Sequence, residues 1–367
     1  MKKVLFLSHE ASLTGAPLFL VKFIRYLKYE YSGYEIVIFF TKNGDLVELV
    51  IQEGFDVILS EKRSGLKSKM PVVWNRLIHY FRYLKLLLTF RPHLVYSNTI
   101  VNFGEVVLAG LAKIPVLIHM HEGMSFSSKC RYRLRFSCFF AKQIIVGSHY
   151  VNTVLTYLTG RTGIVIYNGV DSKVDISIKE TQKNRPFTLG VLGTICENKG
   201  QLVAIQAMRL LVEKGISVDL KIAGGVGDYE YYTQLSYFIN LHSLEGEVTF
   251  VGMVPDKDDF LRSIDVLIVP SFDESFPTVI LEAFSMGTLV VATDVGGIPE
   301  MIQNDVNGLL FRSGDFMILA DIIENIIHDN SMFHGLPLSA LRILTERFDV
   351  CSTHQLLIDV INNLREE

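Results

Sequence analysis

The sequence predicts an α/β protein made of two successive doubly wound units, each a parallel sheet with helices on both faces. The chain has 367 residues, and beyond about 250–300 residues a single hydrophobic core usually splits into domains. Short runs that are almost entirely apolar alternate with stretches of helical periodicity, which is typical of parallel strands buried on both faces. A polar segment from Ser172 to Arg185, followed by Pro186, is the predicted linker between the units.

The predicted strands follow one another as two such units require. In the first half they are VLFLS (4–8), EIVIFF (35–40), FDVIL (55–59), HLVYS (93–97), PVLIH (115–119), QIIVG (143–147) and GIVIY (163–167). In the second half they are FTLGVLG (187–193), VDLKIAG (218–224), VTFVG (248–252), DVLIVP (265–270), LVVAT (289–293) and NGLLF (307–311). We find no internal repeat of 20–50 residues, which argues against a solenoid or a propeller.

The composition excludes several other classes. A hydrophobic content of 49%, with 27 Gly and 10 Pro, excludes a disordered or collagen-like chain. Four scattered cysteines without a Cys-x-x-Cys pair argue against a disulfide framework or a structural zinc site and agree with a reducing cytosol. The N-terminal MKKVLFLSHE has four apolar residues before Ser8, so it predicts a strand rather than a signal peptide. No apolar run is long enough to span a membrane.

The net charge of −4 conceals two oppositely charged halves. Residues 1–185 carry a net charge of +12 and residues 186–367 carry −16. Residues 62–104 and 123–170 contain no acid at all, but eight and six basic residues respectively. Such asymmetry predicts a polyanionic partner for the first half, either nucleic acid or an anionic membrane surface. No nucleic-acid-binding motif is present, which favours the membrane.

Residues 74–90 predict an amphipathic helix within this basic half. We expect one row of apolar residues to face the core, and the opposite row to form a basic and aromatic face for anionic lipid. A wide helix that neighbouring elements bury on both sides is the alternative. The expected core row is Trp74, Leu77, Ile78, Phe81, Leu84 and Leu88, and the opposite row is Arg76, Tyr80, Tyr83, Leu87 and Phe90.

The segment 265–300 carries the strongest chemical signal. A strand leads into a loop with Glu274, and a helix beginning near Pro277 carries Glu282. Backbone N–H groups at a helix N-terminus form an anion site, and carboxylates beside it can accept hydrogen bonds from a sugar and a ribose. The alternative is that Glu274 caps the helix and that Glu282 is a partly buried charge with a basic partner. The amides in question belong to Phe276, Thr278 and Val279.

Two further motifs point to other chemistry. Asp256-Lys257-Asp258 has the form of an Asp-x-Asp metal site, but acids at the start of a helix explain it better. The glycines of residues 224–227 suggest a dinucleotide fingerprint, yet the pattern is incomplete and residues 229–232 are a poor helix opening. We therefore expect no metal at the first and no dinucleotide at the second.

Five segments occur in an order shared with one enzyme family. They are SHEASLTGAP (8–17), YNGVD (167–171), LGTICENKGQ (192–201), the run from Glu274 through Glu282 to GGIPE (296–300), and RFDVCSTHQLLIDVINNL (347–364). Together they resemble the glycine loop, interdomain junction, phosphate loop, donor signature and C-terminal helix of retaining glycosyltransferases of family 4, which have the GT-B fold. The resemblance covers nearly the whole chain.

The resemblance implies two Rossmann-like domains that face each other across a cleft. Residues 1–175 would form the acceptor-binding domain and residues 186–345 the domain that binds a nucleotide sugar. Residues 346–367 would form a C-terminal helix that crosses back to the first domain.

The resemblance also implies roles for the donor-site residues. Glu282 would bind the ribose hydroxyls, Glu274 would lie near the donor sugar, and Lys199 would contact the diphosphate as a mobile point charge. The backbone of Phe276, Pro277 and Thr278 would hold the sugar and the diphosphate.

Three further residues follow from the same resemblance. His121 in IHMHEG matches the active-site histidine of the first domain, with His119 as the competing assignment. Gly15 would let the backbone approach the ligand closely. Thr194 stands where the family usually has Arg, so one phosphate-binding cation is missing.

The resemblance therefore implies a retaining, metal-independent glycosyltransferase without a cofactor, which takes a sugar from a nucleotide-diphospho-sugar. The expected acceptor is a hydroxyl of a lipid-linked glycan in surface polysaccharide biosynthesis. We expect a cytoplasmic enzyme that is peripheral on the membrane. A sugar-nucleotide epimerase of the same fold and a non-catalytic nucleotide-sugar-binding protein are the alternatives, and Thr194 is the feature that supports the second.

Overall fold

The computed structural model describes residues 1–12, 15–60, 72–172, 186–329, 333 and 335–364. The chain divides into two compact units. The first comprises Met1–Asn168 with Thr353–Glu367, and the second comprises Gly169–Ser352. The division falls within the YNGVD segment, whereas most of the predicted linker lies outside the described residues. No helix in the described ranges combines the length and apolarity needed to cross a bilayer.

The first unit contains a parallel sheet in the order β3-β2-β1-β4-β5-β6-β7. Successive residues of β1 point to opposite faces, so that Val4 and Phe6 enter one core layer, and Leu5 and Leu7 the other. The strands are β1 (Lys2–Ser8), β2 (Tyr34–Phe40), β3 (Asp56–Leu59), β4 (Leu94–Ser97), β5 (Val116–Met120), β6 (Gln143–Val146) and β7 (Ile164–Val165).

Helices cover both faces of this sheet, as buried parallel strands require. One core layer contains residues of α3, α4, α6 and α7, and the other contains residues of α1, α2 and α14. The helices are α1 (Gly15–Glu30), α2 (Asp45–Gln52), α3 (Val72–Phe90), α4 (Phe103–Leu111), α5 (Met124–Lys129), α6 (Arg131–Phe140), α7 (His149–Thr159) and α14 (Val350–Asn363).

The orientation predicted for α3 is wrong. The row expected on the surface supplies the core, because Tyr83, Leu87 and Phe90 are buried together with Leu86. The row expected in the core is exposed, with Phe81 69% exposed. Periodicity shows which residues share a helix face, but two apolar rows leave open which one meets the sheet. The residues of the expected core row are Trp74, Leu77, Ile78, Phe81, Leu84 and Leu88, all of them exposed.

The second unit contains a parallel sheet in the order β10-β9-β8-β11-β12-β13. Its strands are β8 (Phe187–Leu192), β9 (Val218–Ala223), β10 (Val248–Gly252), β11 (Val266–Val269), β12 (Leu289–Thr293) and β13 (Leu309–Phe311). Its helices are α8 (Gln201–Glu213), α9 (Tyr229–Leu241), α10 (Lys257–Arg262), α11 (Thr278–Ser285), α12 (Phe316–His328) and α13 (Leu336–Arg347), with 3-10 turns at Glu197–Lys199 and Ile298–Glu300. Each of the thirteen predicted strands is thus confirmed.

In each sheet, the direction in which successive strands are added reverses once. In the first sheet this switch lies between β1 and β4, and in the second it lies between β8 and β11. The loops at the carboxyl ends of the two strands diverge there and leave a crevice, which is where open α/β sheets bind ligands. Gly15 follows β1, the predicted donor-site residues follow β8 and β11, and His121 follows β5, the neighbour of β4, so the topology brings them to the edges where a ligand is expected.

Candidate functional site

The site of the second unit is built from the loops that follow β8 and β11. Asn198 connects them: its carbonyl accepts a hydrogen bond from the Phe272 N–H (2.9 Å), and its side-chain amide donates to the Asp273 carbonyl (2.9 Å). Two segments 75 residues apart in sequence are thereby held side by side at the switch point.

Lys199 and Glu274 meet where these loops join. The Lys199 Nζ donates to Glu274 Oε1 at 2.6 Å, and the Ser271 hydroxyl donates to the same oxygen at 2.8 Å. The carboxylate is buried, with 8% of Glu274 exposed, while the lysine side chain is one-third exposed. The N-cap of α11 is Pro277, and the recorded hydrogen bonds of the Glu274 carboxylate go to Lys199 and Ser271. The pair orients a positive charge at the edge of the sheet.

Two glycines allow the backbone to pack tightly around this pair. Gly200 (φ +66°) would place a Cβ 2.0 Å from the Pro270 carbonyl oxygen. Gly296 (φ +58°) would place one 1.9 Å from the carbonyl oxygen of Glu274, which accepts the Gly297 N–H at 2.9 Å. Any side chain at either position would clash with the backbone that carries the site.

The start of α11 contributes backbone to the same edge. The helix begins at Thr278, with Pro277 as an extended N-cap rather than a first-turn residue, which corrects the predicted start. Phe276 is buried, and its ring lies 5.7 Å from that of Phe348. The first N–H groups of a helix have no partner within it, so the geometry of this turn suits an anionic or polar ligand.

Glu282 lies within α11 and pairs with Lys257, the first residue of α10. The Lys257 Nζ is 3.2 and 3.4 Å from the two carboxylate oxygens. Glu282 is thus a carboxylate with a basic partner, the arrangement that the alternative described. The preceding Asp256 caps α10 by accepting the N–H groups of Asp258 and Asp259, so the Asp-x-Asp motif is a helix start.

Thr194 lies exposed in the loop after β8, and its carbonyl accepts the side-chain amide of Gln201 at 2.9 Å. The glycine-rich segment after β9 packs against this loop, because a Cβ at Gly227 would lie 2.5 Å from Thr194 Cγ2. This glycine segment therefore accommodates the neighbouring loop. The prediction that residues 229–232 open a helix poorly is wrong, since Asp228 caps α9 at Tyr229.

The first unit brings Gly15 and His121 to its own switch point. Gly15 (φ +49°) begins α1, and the carbonyl of the next residue, Ala16, accepts the Asn98 side-chain amide at 2.6 Å. Asn98 Oδ1 lies 3.2 Å from His121 Nε2. One asparagine thus joins the two predicted positions, although Leu13 and Thr14 of the glycine loop lie outside the described residues.

His119 and His121 form a close pair, with ring centroids 4.0 Å apart. His119 is fully buried, and its Nδ1 lies 2.6 Å from the Tyr96 hydroxyl, whereas His121 is partly exposed at the strand end. Burial lowers the pKa of His121 to about 4, and burial together with the neighbouring His121 holds the pKa of His119 well below its ordinary value. The exposed edge makes His121 the better candidate for contact with a ligand.

These depressed pKa values predict acid sensitivity. Between pH 6.5 and about 4 an unfolded histidine binds a proton that folded His121 does not, so the free energy of unfolding falls as the pH falls through this window. We expect a slope of up to about 1.4 kcal/mol per pH unit from each such histidine, measured by urea unfolding. His121→Gln should flatten this slope, and an identical slope in the variant would contradict the prediction.

Sequence reasoning missed Asn198, Ser271 and Lys257 as parts of the second unit's site. Asn198 and Ser271 are neutral residues in loops and carry no spacing signal. Lys257 was noted only as the middle of the Asp-x-Asp motif. Among the described residues, no group of three His, Cys, Asp or Glu side chains is placed to hold a metal.

Comparison with protein families finds two matches that together span residues 14–336. The family described as "Glycosyltransferase Family 4" matches residues 14–174, and the family described as "Glycosyl transferases group 1" matches residues 173–336. The border between the two matches lies close to the border between the two structural units.

Two curated relatives are biosynthetic glycosyltransferases. The chain is 28% identical over 149 residues to the capsular polysaccharide biosynthesis glycosyltransferase CapM of Staphylococcus aureus. The matched stretch is 41% of this chain and 39% of CapM. It is 29% identical over 189 residues to the amylovoran biosynthesis glycosyltransferase AmsK of Erwinia amylovora. This second matched stretch is 49% of this chain and 46% of AmsK. The match thus spans less than half the length of either relative.

Solved structures share the fold over the whole chain. The crystal structure of Anabaena HepE in complex with UDP superposes with a TM-score of 0.83 at 25% identity, covering 99% of this chain and 100% of HepE. The galactosyltransferase WaaB of the lipopolysaccharide outer core superposes with a TM-score of 0.76 at 16% identity, covering 99% of each chain.

Proposed function

Because this chain belongs to the GT-B glycosyltransferases, with one part in "Glycosyltransferase Family 4" and the other in "Glycosyl transferases group 1", we propose that it transfers a sugar from a nucleotide-diphospho-sugar to a hydroxyl acceptor. The observation that carries the proposal is the arrangement at the switch point between β8 and β11. There Glu274 holds Lys199 beside the turn that opens α11, and Glu282 lies within α11 itself. A cation and helix amides suit a diphosphate, and carboxylates suit hydroxyls.

In the proposed reaction the bond between the anomeric carbon and the phosphate oxygen breaks as negative charge builds up on the diphosphate. Lys199 and the amides at the start of α11 stabilise this charge. The acceptor oxygen bonds to the anomeric carbon on the face that the phosphate leaves, and its proton passes to a phosphate oxygen. The sugar therefore retains its configuration, and neither a metal nor a cofactor is required.

We further propose that the acceptor is a lipid-linked glycan in surface polysaccharide biosynthesis. The names of CapM and AmsK, both polysaccharide enzymes, support this. The net charge of +12 over residues 1–185 supports an anionic membrane surface as a second partner. The proposed location is the cytoplasmic face of the membrane.

Glu282→Gln is expected to weaken the binding of UDP or GDP by about 10-fold to 100-fold. A hydrogen bond to a charged group contributes about 1.5–3 kcal/mol, and the carboxylate is proposed to accept the ribose hydroxyls. Isothermal titration calorimetry with the bare nucleotide measures this directly.

Lys257→Met provides the matched control for Glu282. It removes the other half of the ion pair but leaves the carboxylate, so UDP should bind to it at least as tightly as to the parent protein. A Glu282→Gln variant that binds nucleotide as well as the parent does would remove Glu282 from the ribose site.

The experiment that tests the proposed function follows the release of nucleoside diphosphate from a panel of sugar nucleotides, with and without membrane lipid extract as the source of acceptor. Release should depend on the acceptor and should continue in excess EDTA, and NMR should show the donor's anomeric configuration in the product. Conversion of the sugar nucleotide without acceptor would indicate an epimerase instead. Tight nucleotide binding without any turnover would indicate a non-catalytic protein.

A further inference from the structure

One side of the first unit has an exposed apolar surface. We define the outer apolar face as Trp74, Leu77, Phe81 and Leu88 of α3 with Phe136 and Phe139 of α6. Each of these side chains is more than half exposed, and Phe139 reaches 79%. Large exposed apolar surfaces are rare on soluble proteins unless they bind a partner or a membrane.

The two helices present their exposed rows on the same side of the sheet. Both contribute buried residues to one core layer, Tyr83 and Phe90 from α3 and Leu134 from α6. Both also pack against α4, which lies in the same layer. Because their inner faces point towards the same face of the sheet, their outer faces point away from it together.

Close contacts on α4 support this arrangement. A Cβ at Gly104 would lie 2.2 Å from the Tyr80 hydroxyl of α3, and one at Gly110 would lie 2.4 Å from the Phe140 ring of α6. The rings of Phe103 and Phe136 are 6.3 Å apart. The two glycines therefore let α3 and α6 approach α4 closely, which brings their rows of apolar side chains near each other.

The charge around the outer apolar face is positive. Residues 72–170 contain eleven Lys and Arg but two carboxylates, Glu105 and Glu122. Glu105 is buried and pairs with His79, and Glu122 accepts the Thr99 hydroxyl, so neither carboxylate lies among the exposed basic side chains.

Basic side chains from α3 and from α6 lie near the same residue, Tyr80. Burial and the nearby Glu105 raise the pKa of Tyr80, and Arg76 of α3 and Arg133 of α6 both oppose this rise, so both arginines lie near the Tyr80 hydroxyl. Both arginines are exposed. The basic residues therefore lie beside the apolar rows rather than on a separate part of the unit.

We propose that the outer apolar face docks on an anionic lipid bilayer, with the apolar side chains inserted at the interface and Arg76 and Arg133 among the headgroups. This rests on the membrane association proposed above. It assigns the membrane contact to the row of α3 that the sequence analysis had placed in the core. Exposed aromatic and aliphatic residues beside basic ones are the composition of an interfacial helix. Charge complementarity selects anionic lipid as the occupant.

The test is sedimentation of the full chain with vesicles of phosphatidylcholine that contain increasing amounts of phosphatidylglycerol. Binding should rise with phosphatidylglycerol and weaken in high salt. Arg76→Glu with Arg133→Glu should reduce partitioning about 30-fold or more at low salt. Leu77→Ser with Phe81→Ser should reduce it about 10-fold to 100-fold, and this loss should persist at high salt because it is apolar.

Tyr237→Ser with Leu241→Ser is the matched control. These residues have the same spacing and similar exposure on α9 of the acidic unit, and their replacement should leave vesicle binding unchanged. The melting temperature of each variant shows that it folds, and its nucleotide binding, measured without vesicles, separates failure of this proposal from failure of the proposed function.

Three outcomes would overturn the proposal. The first is a parent protein that ignores phosphatidylglycerol content, and the second is a Leu77 and Phe81 double variant that sediments like the parent. The third is a parent dimer that does not bind vesicles and becomes monomeric when Leu77 and Phe81 are replaced, because the face would then bind a second copy of the chain.

Discussion

Lys199→Ala is expected to lower kcat by about 10²-fold to 10³-fold, with a smaller change in KM for the sugar nucleotide. The Lys199 Nζ lies 2.6 Å from Glu274 Oε1, and the buried carboxylate fixes its position at the switch point. A charge that is oriented before the reaction acts most strongly where negative charge develops, which here is the diphosphate as it leaves. Steady-state kinetics of nucleotide release measure the effect.

Lys214→Ala is the matched control for this variant. Lys214, the C-cap residue of α8, also pairs with a glutamate of the second unit and is similarly exposed, but its partner is Glu324 of α12, at the opposite end of α8 from the loop that follows β8. Its kcat should stay close to that of the parent. Because removing Lys199 leaves Glu274 buried without its cation, the double variant Lys199→Ala with Glu274→Gln shows whether instability contributes. A Lys199→Ala enzyme with parental kcat would place the lysine outside the reaction.

Gly296→Ala is expected to lower activity about 100-fold and to weaken nucleotide binding. A Cβ at this position would lie 1.9 Å from the carbonyl oxygen of Glu274, so the backbone that carries the carboxylate must move. Displacement of catalytic groups by about 1 Å costs on the order of 10²-fold in rate. Kinetics and calorimetry on the purified variant measure both effects.

Gly287→Ala separates this clash from backbone strain. Gly287 has a φ of +62°, close to the +58° of Gly296, but among the described residues no atom beyond its chain neighbours lies within 4 Å of its Cβ position. Both variants should lose about 1–2 kcal/mol of stability from the left-handed backbone. Only Gly296→Ala should lose activity. Equal loss in both variants would show that the close approach to Glu274 is unimportant.

The strands could be predicted from the sequence because parallel strands buried on both faces are apolar along their whole length. Their order places the loops after β8 and β11 side by side, so that motifs far apart in the sequence converge on one edge. That is why Lys199 and Glu274, assigned to one ligand by their motifs, are found in direct contact.

The orientation of α3 could not be predicted in the same way. Both of its long faces are apolar, and the choice between them depends on packing with β-strands and with α4, which periodicity does not encode. The partners of the site residues were missed for a related reason. Ser271 holds Glu274 through a hydroxyl, and Asn198 joins two loops through its amide, and both residue types are common in any loop.

The most direct test of the account is the melting temperature of the parent chain, measured in turn with UDP, GDP, ADP and CMP and repeated with Gly296→Ala and Gly287→Ala. A nucleotide at 100 times its Kd adds about 2.7 kcal/mol to the stability of the folded state. The account predicts that at least one nucleoside diphosphate raises the melting temperature of the parent and of Gly287→Ala, and raises that of Gly296→Ala much less. No rise with any nucleotide, or an equal rise in Gly296→Ala, would contradict a donor site at the switch point of the second sheet.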